Sequence, residues 1–309
     1  LLRDDAVAEV ATAIGFAEGP VHRRDGSIAF TSIDKGHVYA VDAEGCRLLL
    51  AVGGQPNGAA EGADGSLFLA MAGGIFPGRP FTAQPSGVAV IRPSGRLEWL
   101  TTDPVAPNDL CFGPDGHLYV TDPTRGTTSD GRVWRIDPET GLGAVLASVP
   151  WYPNGIGFSH RDDHLYVADT ANSRIIRWEL EIESGVGEET TVVTMDHGRP
   201  DGFAFDVEGN LILAAPARPD AGKPSDVQVW SPEGELLESF APGERVCYTN
   251  VALSAEGALV LTDGGSLAAA TAGLDTGGCV LLIPDWPTVG LPLHPFRGDR
   301  APARSKEQK

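Results

Sequence analysis

Six times along the chain a tight turn leads into an alternating apolar strand: "RRDGSIAFTSI", "GADGSLFLAMA", "GPDGHLYVTDP", "HRDDHLYVADT", "DVEGNLILAAP" and "SAEGALVLTDG". The turn positions are Gly26, Gly65, Gly116, Asp163, Gly209 and Gly257, so successive copies lie 39, 51, 47, 46 and 48 residues apart. An acidic residue followed by Gly closes a hairpin, and a repeat of about 40–50 residues is the length of one propeller blade. The spacing therefore predicts an all-β fold, a six-bladed β-propeller. Its second strands are expected near 26–33, 66–71, 117–121, 164–169, 210–214 and 258–262.

Further strand patterns such as "GHVYAVDAEG", "GRVWRIDPETG" and "GCVLLIPDW" fill the intervals and supply outer strands. No linker or shift in composition interrupts the series, so residues 1–298 read as one domain, with a polar tail at 299–309. The segment "VAEVATAI" at 7–14 is left over, and is expected to complete the last blade and close the ring.

The formal charge of −19 sets a field that repels phosphate backbones and anionic lipid, which argues against nucleic acid or a membrane surface as partner. No run of about 18 apolar residues is present, so no membrane span is expected. The N-terminus has no basic region leading into an apolar core, and a cytoplasmic location is expected, with a trimmed leader left open because the first residue is not Met. Four widely spaced cysteines, Cys46, Cys111, Cys247 and Cys279, form no C-x-x-C pair and read as free thiols of a reduced compartment. Nothing in the sequence indicates an oligomeric state.

Eight residues before four of the turns stand Glu18, Asn57, Asn108 and Asp201; Asn154 stands nine before its turn and Asn250 seven. The first strand of a blade lines the central channel, so these six side chains are expected to ring one mouth of it. Pro-Asn-Gly and Pro-Asp-Gly are also ordinary turn sequences in which the side chain bonds its own backbone. A turn does not call for Glu at the first copy, however. Two carboxylates with several amide carbonyls, and no His or Cys, suit a hard cation, first of all Ca²⁺, with Mn²⁺, Mg²⁺ or Zn²⁺ as other occupants.

The motifs "FAEGPV", "PNDLCFGPDGHLYVTDP", "PNGIGFS" and "RPDGFAFDVEGNL" resemble those of the senescence-marker-protein, gluconolactonase and luciferin-regenerating-enzyme family of six-bladed propellers, most of all its gluconolactonase branch. The resemblance covers roughly residues 14–265. It implies that Glu18, Asn108, Asn154 and Asp201 bind a catalytic divalent cation on the channel axis, in a set similar to that of diisopropyl-fluorophosphatases. It further implies a metal-dependent hydrolase acting on a small lactone, with Asp201 as general base or nucleophile. Two positions depart from the family pattern. Ala106 stands where many sugar lactonases of the family carry an Arg, and "AMAGGIFPGRPF" replaces a polar stretch after the blade-two strand.

Loops at the channel mouth are expected to wall the substrate pocket. Asn57, Asn108 and Asn250 on the ring, with Phe76, Arg125 and Trp151 from the loops, are the expected substrate contacts; Arg79, Phe81, Tyr152 and Arg218 lie on the same loops. His22, His197 and His294 read as structural. Two other readings stand beside the lactonase: a phosphotriester or organofluorophosphate hydrolase or a lyase using the same ion, and a non-enzymatic calcium-binding scaffold.

Overall fold

The computed structural model describes residues 7–74, 84–124, 130–159, 161, 163–181, 185–218, 222–243, 245–266, 268–269 and 275–293. Six antiparallel sheets follow one another along the chain. Blade one comprises Ala17–His22, Ile28–Ser32, His37–Asp42 and Gly45–Ala51. Blade two comprises Pro56–Glu61, Leu67–Met71, Gly87–Ile91 and Leu97–Thr101, and blade three Leu110–Phe112, Leu118–Asp122, Gly131–Ile136 and Gly143–Val149. Blade four comprises Pro153–Phe158, His164–Asp169 and Arg174–Glu181, whose outer side pairs with both Gly185–Val186 and Thr190–Thr194. Blade five comprises Phe203–Phe205, Leu211–Ala215, Asp226–Trp230 and Leu236–Phe240.

Blade six takes Tyr248–Leu253, Leu259–Asp263 and Cys279–Ile283 from the end of the chain and its outermost strand, Ala8–Ala11, from the beginning. The leftover N-terminal strand thus closes the ring, and all six anticipated second strands occupy the second place in their sheets. Among the described residues no helix is long and apolar enough to cross a membrane.

The turn chemistry explains the repeated Asp-Gly. In blade three the Asp115 carboxylate accepts the backbone N–H of His117, while Gly116, at φ 78°, donates its N–H to Gly113. The same turn recurs around Gly26 and Gly65, with Asp25 and Asp64 as the capping carboxylates. A side chain at such a φ would meet left-handed strain.

Second strands are buried on both faces, which is why they read as nearly continuous apolar runs. Alternation sends neighbouring residues into different interblade cores. Leu118 and Val120 pack with Phe68, Val88 and Val90 of blade two, whereas Tyr119 packs with Ile156, Phe158 and Leu165 of blade four. Ile28 and Phe30 meet Val260 and Val280 of blade six at the closing interface. All four cysteines are free; Cys247 and Cys279 are buried, Cys111 is partly buried and Cys46 is exposed.

Candidate metal centre

Each blade presents its candidate ligand where the innermost strand begins, and two local devices aim it. The first is a register break. Pairing between the first two strands slips at Glu18–Val21, Pro56–Ala59, Pro153–Ile156 and Tyr248–Asn250, so the bulged residues turn away from strict alternation. The second is a set of bonds that ties each blade to the next at this level. Thr31 Oγ1 donates to the Asn57 carbonyl, Gly58 N–H to the Asn108 carbonyl, and Thr121 Oγ1 to the Asn154 carbonyl. Thr170 Oγ1 donates to Pro200, Gly202 N–H to Thr249, and Thr249 Oγ1 to Ala17, which completes the circle.

Glycines make this approach close enough. A Cβ on Gly155 would lie 2.3 Å from the Asp201 carbonyl oxygen, and one on Gly202 would lie 1.9 Å from Asn250 Cγ. Only a residue without a side chain fits either position.

The side chains converge as a network. Asn250 Nδ2 lies 3.4 Å from both Glu18 Oε2 and Asp109 Oδ2, so blade six reaches blade one and, across the axis, blade three. Asn108 Nδ2 donates to the Tyr152 hydroxyl at 3.4 Å. Glu18, Asn57, Asn108, Asn154 and Asn250 are buried, while Asp201 is partly exposed. Among the described residues none of Glu18, Asp109 and Asp201 has a basic side chain in salt-bridge range.

Their proton affinities reflect this. Glu18 is held well above the usual carboxylate range by desolvation and then by the charges of Asp201 and Asp109. Asp201 is also raised well above that range, first by desolvation and then by Asp109, with the Asn154 amide working against both. Asp109 is pushed up to about 6 by burial, opposed by the N–H of Leu110 and the Asn250 side chain. Desolvation, reinforced by Asp201, keeps the Tyr152 phenol neutral.

Over residues 16–263 the sequence matches the SMP-30/Gluconolactonase/LRE-like region. The chain belongs to this family. It is 27% identical over 280 residues to a gluconolactonase of Zymomonas mobilis, covering 76% of this chain and 74% of that protein. It is 28% identical over 211 residues to the pentonolactonase XacC of Haloferax volcanii, covering 65% and 67% of the two chains. Among solved structures, the calcium-binding protein regucalcin from Agrobacterium tumefaciens superposes with a TM-score of 0.71 at 19% identity, covering 94% of this chain and 98% of that one. At that identity the likeness speaks for the fold.

The ring of this family member fits a hard cation on its own chemistry. Buried carboxylates without a counter-charge repel one another, and Asn57 Oδ1 is a buried acceptor with no donor among the described residues. A divalent cation answers the carboxylate repulsion, and an oxygen-rich set of Asn and acid is its preferred company. No three His, Cys, Asp or Glu side chains of the described residues form a ligating group by themselves, so the asparagine carbonyls are needed.

Of the expected substrate contacts, Asn57, Asn108 and Asn250 lie at the ring. Trp151 is buried, stacked on Trp178 at 6.0 Å and covered by the Arg174 guanidinium, so its surface is given to the blade wall. Phe76 and Arg125, with Arg79, Phe81 and His294, lie outside the described residues. Arg218 reaches Ser173 Oγ, and His197 pairs with Asp226 at 2.8 Å. Sequence reasoning passed over Asp109 and the Tyr152–Asn108 bond. The signal for Asp109 was present: after the ring positions stand Gly19, Gly58, Gly155 and Gly202, and of the two residues that break that column, Asp109 and Val251, one is a carboxylate.

Proposed function

We propose that this protein is a metal-dependent lactonase that opens a small cyclic ester. Membership of the family, with gluconolactonase and pentonolactonase relatives, supports the reaction class. The observation that carries the reading is the set of desolvated carboxylates, Glu18 and Asp201, held among asparagine carbonyls with no protein cation beside them. In this reading Glu18, Asn108, Asn154 and Asp201 hold one Ca²⁺-type ion, and the calcium-binding regucalcin fold neighbour makes calcium the first choice. When bound, such an ion supplies Lewis-acid polarisation of the ester carbonyl.

The protein's own groups divide the remaining work. Tyr152 holds the Asn108 amide by its nitrogen, which leaves the amide oxygen directed away from the phenol. Asn250 ties Glu18 in place. Asp201 is the less buried residue of the two ring acids, Glu18 and Asp201, and is the group assigned to take the proton of an attacking water. Asn57 Oδ1 stands beside the ring as a buried acceptor with no donor among the described residues.

A panel of sugar and simple lactones, together with phosphotriesters, assayed by proton release with and without EDTA, tests this. Lactone turnover that is lost on chelation and restored by Ca²⁺, Mn²⁺ or Zn²⁺ is expected. Asp201→Ala is expected to stay a folded β-protein with turnover lowered at least about a hundredfold. Lactone turnover indifferent to EDTA, or none on any lactone with metal present, contradicts the proposal.

A further inference from the structure

A cavity of about 130 Å³ lies on the channel axis beneath the ring, on the side away from the loop-walled mouth. Its roof is Asp109 and Asn250, whose contact at 3.4 Å runs from blade three to the opposite blade six and so spans the axis. Small residues, Ala204 and Ala252 among them, line its walls. Leu291, Pro292 and Leu293 form the far rim, held there by the N–H of Gly290 on Ser254 and of Leu291 on Phe205.

The chemistry of the lining is selective. Phenylalanine and aliphatic side chains dominate it, and the titratable groups are Asp109, Glu61, His22 and Cys111. Glu61 is engaged by Arg23 at 3.2 Å, which leaves Asp109 as the unpaired charge, and no Lys or Arg lines the space. An anion is therefore repelled, and a bare metal ion finds no group of three His, Cys, Asp or Glu ligands here. A cavity of about 150 Å³ with apolar walls accepts benzene, so this one suits a molecule with a single six-membered ring. Displacing loosely held water from such walls favours an apolar occupant.

We infer that this axial cavity is a second small-molecule site, beneath the ion ring and sharing Asn250 with it, for a mainly apolar ligand the size of one six-membered ring that carries no negative charge. Benzyl alcohol and benzoate share that size and differ in charge, which makes them the probes. Calorimetry on the full chain is expected to give saturable 1:1 binding of benzyl alcohol with a Kd of about 1 mM or below, and no binding of benzoate. Ala204→Leu and Ala252→Leu fill the cavity from different blades, and each is expected to weaken the alcohol at least about tenfold.

Cys111 gives a readout on the unmutated protein, because this residue lines the same space. Saturating benzyl alcohol is expected to slow methylthiolation of Cys111, followed by peptide mass spectrometry, at least about fivefold while the exposed Cys46 reacts as before. Failure of benzyl alcohol to bind, benzoate binding equally well, unchanged affinity in both leucine variants, or unchanged Cys111 kinetics overturns the inference.

Discussion

The Tyr152 hydroxyl is a small feature with a directional effect. An amide whose nitrogen is pinned must send its oxygen the other way, so the bond from Asn108 Nδ2 orients a candidate ion ligand. The phenol is kept neutral by desolvation and by the carboxylates around it, which preserves its place in the bond across the working pH range. Outer-shell partners of this kind typically contribute 10–100-fold to metal affinity. Tyr152→Phe removes the hydroxyl and keeps the ring, so calcium affinity by calorimetry should fall about tenfold with little loss of thermal stability. An unchanged affinity would show that Asn108 is oriented by something else.

At the scale of the element, the interblade glycines separate two kinds of constraint. Gly155 abuts the Asp201 carbonyl, so an alanine there must push blades four and five apart, whereas a Cβ on Gly26 meets nothing within 4 Å and suffers only its φ of 83°. Urea denaturation should therefore find Gly155→Ala destabilised by about 2–3 kcal/mol and Gly26→Ala by about 1 kcal/mol. The reverse order would undo this account of the ring. The hairpins themselves were legible in the sequence because an Asp-Gly turn and a two-residue alternation are local signals. The ring of six ligand-type residues was legible through its nearly constant distance from those turns. Asp109 and the threonine bonds were not, since each depends on which blade lies next door. Thr249 bonding to Ala17 joins residues 232 positions apart, and no local pattern announces such a pair. The fourth blade's divided outer strand, Gly185–Val186 and Thr190–Thr194, also escaped, because its apolar residues, Val186, Val192 and Val193, are few and do not alternate.

For the whole molecule, the raised carboxylates tie stability to pH and to the ion. A carboxyl whose folded pKa exceeds its unfolded value binds extra protons in the folded state, so stability falls as pH rises through the interval between them. For Asp109 that interval ends at about 6, and Glu18 and Asp201 are shifted in the same direction. Asp115 and Asp163 are shifted the opposite way, so their contribution is lost only as the solution becomes acidic below the ordinary carboxylate range. Chelated protein should accordingly melt at a higher temperature at pH 5 than at pH 7, and added calcium should raise the melting temperature more at pH 7 than at pH 5. Equal gains at both pH values would mean that the ion does not relieve these carboxylates. The central claim is that one cation sits on the axis between Glu18 and Asp201, and calcium titration calorimetry on stripped protein tests it most directly. The account predicts one site per chain in the wild type, with affinity lowered in both Glu18→Gln and Asp201→Asn by more than about a hundredfold, beyond the usual outer-shell effect. Unchanged affinity in both variants would contradict it.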